Sequence, residues 1–272
     1  MRAKITFQIE IDFAEPARAL NQVLRLSPRS FDSQYVSDWY VGVEPEARLR
    51  RSEDGFGNYV YSCSHEGPLD RIVLTAEGVV ELTDAAGVVR GQAERLPLDV
   101  FLRDTEATQA GEALRAFAKA STAGETESIA KLHSLMAAVH EAVAFEPGPG
   151  APRDAEKVFA KKSGTAREMA QIFIAAARTE NIPARFVSGL YLADVGLGAH
   201  HAWAEAYVEG LGWIGFDPAF DFCPRADHLR IAQGLDYSGA APRRSASVSY
   251  APETEHTILS VAAKQAGRQS QQ

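Results

Sequence analysis

Residues 164–178 read GTAREMAQIFIAAAR, and the placement of this stretch decides the fold. Thr165 followed three positions later by Glu168 is the pattern of a capping box, in which the threonine hydroxyl takes an N–H of the first turn and the carboxylate reaches back to the N–H of Thr165. Ala166 is then the first helical residue. Beyond it Met169, Ala170, Phe173, Ile174 and Ala177 share one side, while Ile172, Ala175 and Ala176 cover much of the rest. A helix apolar on nearly every side is one buried at the centre of its domain. Its N-terminus offers N–H groups and partial positive charge, which suit a thiolate nucleophile and the oxyanion it generates. The residue standing there carries only a methyl group. Taken by itself, the stretch reads first as a simple capped core helix.

Outward from this helix the periodicity divides the chain. Up to about residue 105 the runs KITFQIEIDF (4–13), QYVSDWYVGV (34–43), NYVYSCS (58–64) and RIVLTAEGVVEL (71–82) alternate with period two and are rich in Val, Ile, Tyr and Thr. DGFGN (54–58) reads as a turn between two of them. Several short strands at this spacing predict an antiparallel β-domain over 1–105, a sandwich or barrel. The period then becomes helical in GEALRAFAKAS (111–121) and ESIAKLHSLMAAVHEAVAF (127–145), where Ile129, Leu132, Leu135, Met136, Val139 and Val143 form one stripe. A Pro/Gly loop (146–155), a short helix, the helix from Ala166, and strands ARFVSGLYL (184–192), HHAWAEAYVEG (200–210) and GWIGFDP (212–218) make 106–272 an α+β domain. The closing GRQSQQ (267–272) is polar, without periodicity, and predicted disordered.

Composition narrows the function. With 28 Lys plus Arg against 36 Asp plus Glu among 272 residues, the formal net charge is −8 and no long basic run occurs. That argues against nucleic acid and anionic membranes as partners. The opening MRAKITFQIEIDF never builds a signal-peptide core, and no stretch reaches the ~20 apolar residues of a membrane span. A soluble, cytoplasmic protein is the simplest expectation. Cys63 and Cys223 stand far apart without a CxxC, which predicts reduced thiols rather than a disulfide framework or zinc knuckle.

Two further clusters carry chemistry. His200-His201-Ala202-Trp203 opens a strand in which His201, Trp203, Glu205 and Tyr207 lie on one face and Ala202, Ala204, Ala206 and Val208 on the other. Adjacent strand residues point apart and no ligand cluster stands nearby in sequence, so the histidine pair gives little support for a metal. Asp217 ends a strand before Pro218. A carboxylate there can accept the Nδ1–H of a histidine on the neighbouring strand, although Asp-Pro is also an ordinary turn opening.

Together these pieces resemble the transglutaminase-like cysteine peptidases, of the bacterial type with its own N-terminal β-domain. That family carries Gly-x-Cys at the start of a buried helix, then motifs matched here by IPARFVSGLYL (182–192), His-Ala-Trp-x-Glu (201–205) and GWIGFDP (212–218). The similarity extends through LDYSGAAP near the end and back into LRLSPRS and DGFGN, covering most of the chain. It implies a papain-like core, a peptide or protein substrate, no cofactor and no metal. The resemblance puts Ala166 at the nucleophile cysteine position, His201 as base and Asp217 as its orienter, with Trp203 and Arg167 as substrate contacts. Glu168 and Gln171 stand where the family often has Asp and His.

Ala166 then has three readings. The first is a Cys→Ala substitution introduced into an otherwise intact site. The second is a natural pseudoenzyme that binds peptides without cleaving them. The third is a relocated nucleophile, for which Thr165 and Ser163 are better explained as cap and turn, and Cys223 follows Asp217 with no helix start to activate it. Restored to cysteine, the site implies acyl transfer from an amide. Water as acceptor makes a peptidase or amidase, and an amine makes a transglutaminase.

Overall fold

The computed structural model describes residues 1–148, 153–193, 200–248 and 253–264. The tail from 267 and part of the 146–155 loop lie outside the described residues. The N-terminal layer is built on two long strands, β1 (Arg2–Leu24) and β4 (Tyr59–Leu82), flanked by β2 (Gln34–Glu44) and β3 (Arg50–Glu53). All pairings are antiparallel. The runs predicted as separate short strands around Cys63 and Val73 are one continuous strand, and β1 also runs on past Phe13, with register shifts between Asp12 and Ala19. Such shifts let a strand bend without ending, which period-two counting does not detect. Ala3, Ile5, Phe7, Ile9, Ile11 and Phe13 alternate into the core.

The second layer is a five-stranded antiparallel sheet in the order β11-β8-β9-β10-β5, comprising β5 (Val88–Val89), β8 (Ala184–Tyr191), β9 (His201–Val208), β10 (Gly212–Phe216) and β11 (His228–Gly234). Helices α1 (Glu112–Ser121), α2 (Ser128–Ala142), α3 (Ala155–Lys161) and α4 (Ala166–Thr179) cover it, and a two-residue parallel pair, β6 (Ala144–Phe145) with β7 (Ser163–Gly164), leads into α4. One turn of 3-10 helix (Leu98–Leu102) and the short α5 (Tyr237–Ala240) complete the helical elements. The mixture of a strand-rich N-terminal region with a helix-and-sheet core is the α+β fold expected from the sequence.

Helix α4 is buried on nearly every side, with apolar neighbours for its apolar residues and polar partners for Glu168, Gln171 and Arg178. Ala170, Phe173, Ile174 and Ala177 join the large cluster that includes the core sheet, where Phe173 stacks on Phe216 with ring centroids 5.2 Å apart. Met169, Ile172 and Ala175 join a second cluster with Leu114, Val139 and Val158 of the other helices. Met169, Ile172, Phe173 and Ile174, all fully buried, each contribute roughly 1.5–3 kcal/mol relative to exposure.

The layers interleave in sequence. Strands β12 (Arg243–Ser247) and β13 (Glu253–Lys264) pair with the two halves of β1, while Val88–Val89 extends the core sheet. Two side-chain amides join the layers through β11. Gln34 Oε1 accepts from the Arg230 N–H (2.9 Å) and its Nε2 donates to the Arg230 carbonyl (2.9 Å). Asn58 does the same at Gln233, at 2.8 and 2.7 Å. The DGFGN turn thus has a purpose beyond turning: Asp54 Oδ1 accepts from the N–H groups of Phe56 and Asn58, fixing the loop that aims Asn58. Among the described residues, no helix is long and apolar enough to cross a membrane.

Candidate active site

The capping box forms as the sequence predicts. Thr165 is the N-cap of α4, its hydroxyl accepts from the Glu168 N–H, and Glu168 Oε2 accepts from the Thr165 N–H at 2.9 Å. Glu168 is only 1% exposed. Burial works against its ionisation, but hydrogen bonds from Arg153 (2.7 and 2.8 Å) and from the Thr165 backbone outweigh this and hold its carboxyl below the usual range. Gln171, also fully buried, donates to the Arg153 carbonyl (3.1 Å) and accepts from the Tyr237 N–H (3.3 Å). The two positions that depart from the family pattern therefore fasten the segments beside the helix start.

Ala166 sits at that start and lines a cleft of about 320 Å³ together with Arg167, His200, His201, Phe145 and Tyr237. The far wall comes from the N-terminal layer, with Phe7 and Ile9 of β1 and Glu255, His256 and Thr257 of β13. Arg167 stacks its guanidinium 4.5 Å above the Tyr237 ring at the cleft. His200 turns away from its neighbour, paired with the Ser188 hydroxyl at 2.9 Å. Burial and then the Arg167 charge push it down to about 3, so it is neutral at physiological pH.

His201 begins β9, and Asp217 follows the last residue of β10. Their side chains meet: His201 Nε2 lies 2.5 Å from Asp217 Oδ2. The sequence reading assigned this contact to Nδ1, and the structure corrects it. With Nε2–H donated to the carboxylate, Nδ1 is the nitrogen left for the cleft. Asp217 is completely buried, and its Oδ1 accepts from the Ala219 N–H at 3.0 Å. Burial raises its proton affinity, but His201 and, further down, His228 reverse this, and the net direction is downward. Phe220 stacks on the His201 ring with centroids 4.9 Å apart and 17° between planes.

Trp203 takes a different place from the one expected. It is 2% exposed, does not line the cleft, and lies behind the histidine with its ring 5.4 Å from that of His228. A Cβ at Gly189 would come within 2.6 Å of the indole, so the ring fills space that only glycine leaves. The ring is enclosed behind His201 and outside the cleft lining. Behind it, Glu205 bonds Arg185 (2.7 Å) and Arg230 (2.6 Å). Burial opposes the Glu205 charge, but the two guanidinium groups overcome this and bring it to about 2.

His228 escaped the sequence reading. It starts β11, two strands away from β9, and reaches Asp217 Oδ2 through Nε2 at 3.3 Å. A histidine opening the run HLRIAQG was visible, but only strand order shows which carboxylate it meets. One atom from each of His201, Asp217 and His228 lies within 4.8 Å of the others, the one grouping of metal-ligating type among the described residues. The 2.5 Å contact is a hydrogen-bond length, whereas two ligands on a tetrahedral ion with bonds near 2.0 Å stand roughly 3.3 Å apart. The His201–Asp217 spacing is that of a hydrogen bond, and the 3.3 Å from His228 to Asp217 matches either arrangement.

Comparison with known proteins agrees with this construction. Residues 115–218 match the transglutaminase-like superfamily and residues 3–81 the bacterial transglutaminase-like N-terminal region. An uncharacterized protein of Mycobacterium leprae is 27% identical over 259 residues, covering 89% of this chain and 91% of its own. One from Mycobacterium tuberculosis is 21% identical over 271 residues, covering 89% and 86%. The crystal structure of a protein from Cytophaga hutchinsonii, described as a candidate cysteine protease, superposes with a TM-score of 0.79 at 20% identity, over 98% of this chain and 92% of that one. At that identity it shows a shared fold.

Proposed function

We propose, from the membership of residues 115–218 in the transglutaminase-like superfamily behind a bacterial transglutaminase-like N-terminal region, that this is the scaffold of a cysteine peptidase or amidase acting on peptide or isopeptide amides. In this reading position 166 is the nucleophile position and the chain is inactive because Ala166 holds it. The observation that carries the reading is the buried 2.5 Å His201–Asp217 contact, with His201 and the start of α4 lining one cleft.

With a cysteine at 166, the helix N-terminus and the His201 imidazolium both favour the thiolate. The thiolate attacks the amide carbonyl, and N–H donors at the helix start hold the oxyanion. His201 delivers a proton to the departing amine from Nδ1, while Asp217 holds Nε2 and balances the imidazolium charge. Water then resolves the thioester. The compact bacterial architecture resembles the peptidase branch, which favours water over an amine as acceptor.

The methyl group of Ala166 supports a second reading, a peptide-binding module that uses the same cleft without turnover. Two observations separate them. A natural gene encoding cysteine at codon 166 supports a substituted enzyme, whereas alanine there favours the binding module. Screening Ala166→Cys against peptide and isopeptide amides then tests the chemistry: hydrolysis of members of either class is expected, and inertness toward all of them contradicts the enzyme reading.

A further inference from the structure

The Asp217 carboxylate has two histidine partners, and the reaction sequence above uses one. His228 is 5% exposed and walled by aromatic rings, with Tyr191, Trp203 and Phe222 at centroid distances of 5.0, 5.4 and 5.7 Å. Nδ1 lies 2.6 Å from Asp227 Oδ1 and 3.3 Å from the Arg225 N–H that points at it, and Nε2 lies 3.3 Å from Asp217 Oδ2. A buried imidazole with apolar faces and an acid at each nitrogen is a connector.

We propose that His228 is a positioning residue that clamps Asp217 from a direction separate from His201, so that the site is a chain of four groups, Asp227–His228–Asp217–His201. The proposal rests on the reading of Asp217 as the partner of His201 in acyl transfer. Its physical basis is that a carboxylate holding a catalytic imidazole must itself be held. Outer partners of this kind fix the orientation and basicity of the inner group, and in metal sites their loss costs roughly 10–100-fold. Asp217 Oδ1 is fixed by the Ala219 N–H, while Oδ2 receives both histidines. Without His228, one side of the shared oxygen would be left to aromatic surroundings.

The charges around His228 are consistent with this role. Burial works against its protonation, but the hydrogen bonds to Asp217 and Asp227, and their charges, more than compensate, and the net direction is upward. Asp227 is correspondingly lowered, where burial raises it and the His228 hydrogen bond wins. The other charged groups around this corner are Arg225 on the connecting loop, stacked 4.4 Å above Phe222, and the Glu205–Arg230 pair, which lines a small internal cavity with His228. His228 holds Asp217 through Nε2–H, while Nδ1 sits between the Asp227 carboxylate and the Arg225 N–H.

The first measurement uses the chain as it stands. Nitrogen-detected NMR of the histidine rings across pH 5–9 should show His228 Nε2 protonated at neutral pH, and Asp227→Asn should move the His228 titration to lower pH. The second uses Ala166→Cys as parent. His228→Leu should lower kcat roughly 10–100-fold with KM within about twofold, and His228→Gln, which keeps one donor for Asp217, should recover part of that loss at a similar melting temperature. A His228 ring whose Nε2 carries no proton at pH 7 overturns the proposal. So does unchanged kcat in His228→Leu, or an equal loss in both variants that follows their melting temperatures. If His228→Leu does not fold, the ring spectra decide. If Ala166→Cys never turns over, the enzyme reading fails, and the ring spectra still test the clamp.

Discussion

In the proposed function, the methyl group at the start of α4 decides what this chain can do, because a helix N-terminus beside His201 suits a charge that Ala166 cannot carry. Ala166→Cys should place a thiol where a helix N-terminus and His201 both favour its anion. The native thiols are disfavoured: burial pushes both Cys63 and Cys223 upward. Iodoacetamide at neutral pH is therefore expected to label the new thiol first, and adding His201→Ala should slow that labelling. Equal rates at all three thiols, or no effect of His201→Ala, would show that the site does not activate position 166. Asp217→Asn in the same background should reduce kcat by about 10⁴-fold, the scale seen when a triad carboxylate becomes an amide. Near-normal turnover would return Asp217 to the role of a turn residue. Because Asp217 is buried and accepts from three partners, the same change should also lower the melting temperature, which a simple Asp-Pro turn would not predict.

The elements that hold these residues were legible in different degrees. The boundary and all-round burial of α4 follow from Thr165, Glu168 and the apolar run, because capping and periodicity are local properties. Thr165→Ala should therefore cost about 1 kcal/mol, read as a lower denaturation midpoint at unchanged m-value. No change in midpoint would mean that Glu168 and Arg153 hold the helix start unaided. Strands β9 and β10 were legible from alternation, and the pairing of Gly215 with Glu205 brings their ends together. His228 was not legible, since its partner is chosen by the return of the chain after Asp217 and by the place of β11 beyond β8. The continuous courses of β1 and β4 were hidden for a similar reason: the irregularities that bend a long strand look in sequence like breaks between short ones. Trp203 illustrates the same limit. Alternation gives its face, but only packing against Gly189 shows that the ring is enclosed on that face.

At the scale of the whole molecule, the N-terminal layer is a wall of the cleft, and it is joined to the core by buried polar contacts as well as by a shared apolar cluster. Gln34 and Asn58 grip the β11 backbone at Arg230 and Gln233, and the Arg230 side chain pairs with Glu205. Glu205 has a folded-state pKa of about 2 against 4.5 for the free group, a lowered value. Its contribution to stability is therefore present in full above about pH 4.5 and lost as the pH falls toward 2. Glu205→Gln should lower the melting temperature at pH 7 and flatten its decline below pH 4.5. A variant with the parent's acid limb would place the acid-sensitive group elsewhere. The account as a whole depends on the chemistry at one position, and intact mass spectrometry after mixing the protein with an activated peptide amide tests it most directly. Ala166→Cys is predicted to accumulate a thioester adduct with the mass of the acyl group, lost when His201→Ala is added, while the Ala166 parent gains no mass. An adduct on the parent, or none on Ala166→Cys with any peptide or isopeptide amide, would contradict it.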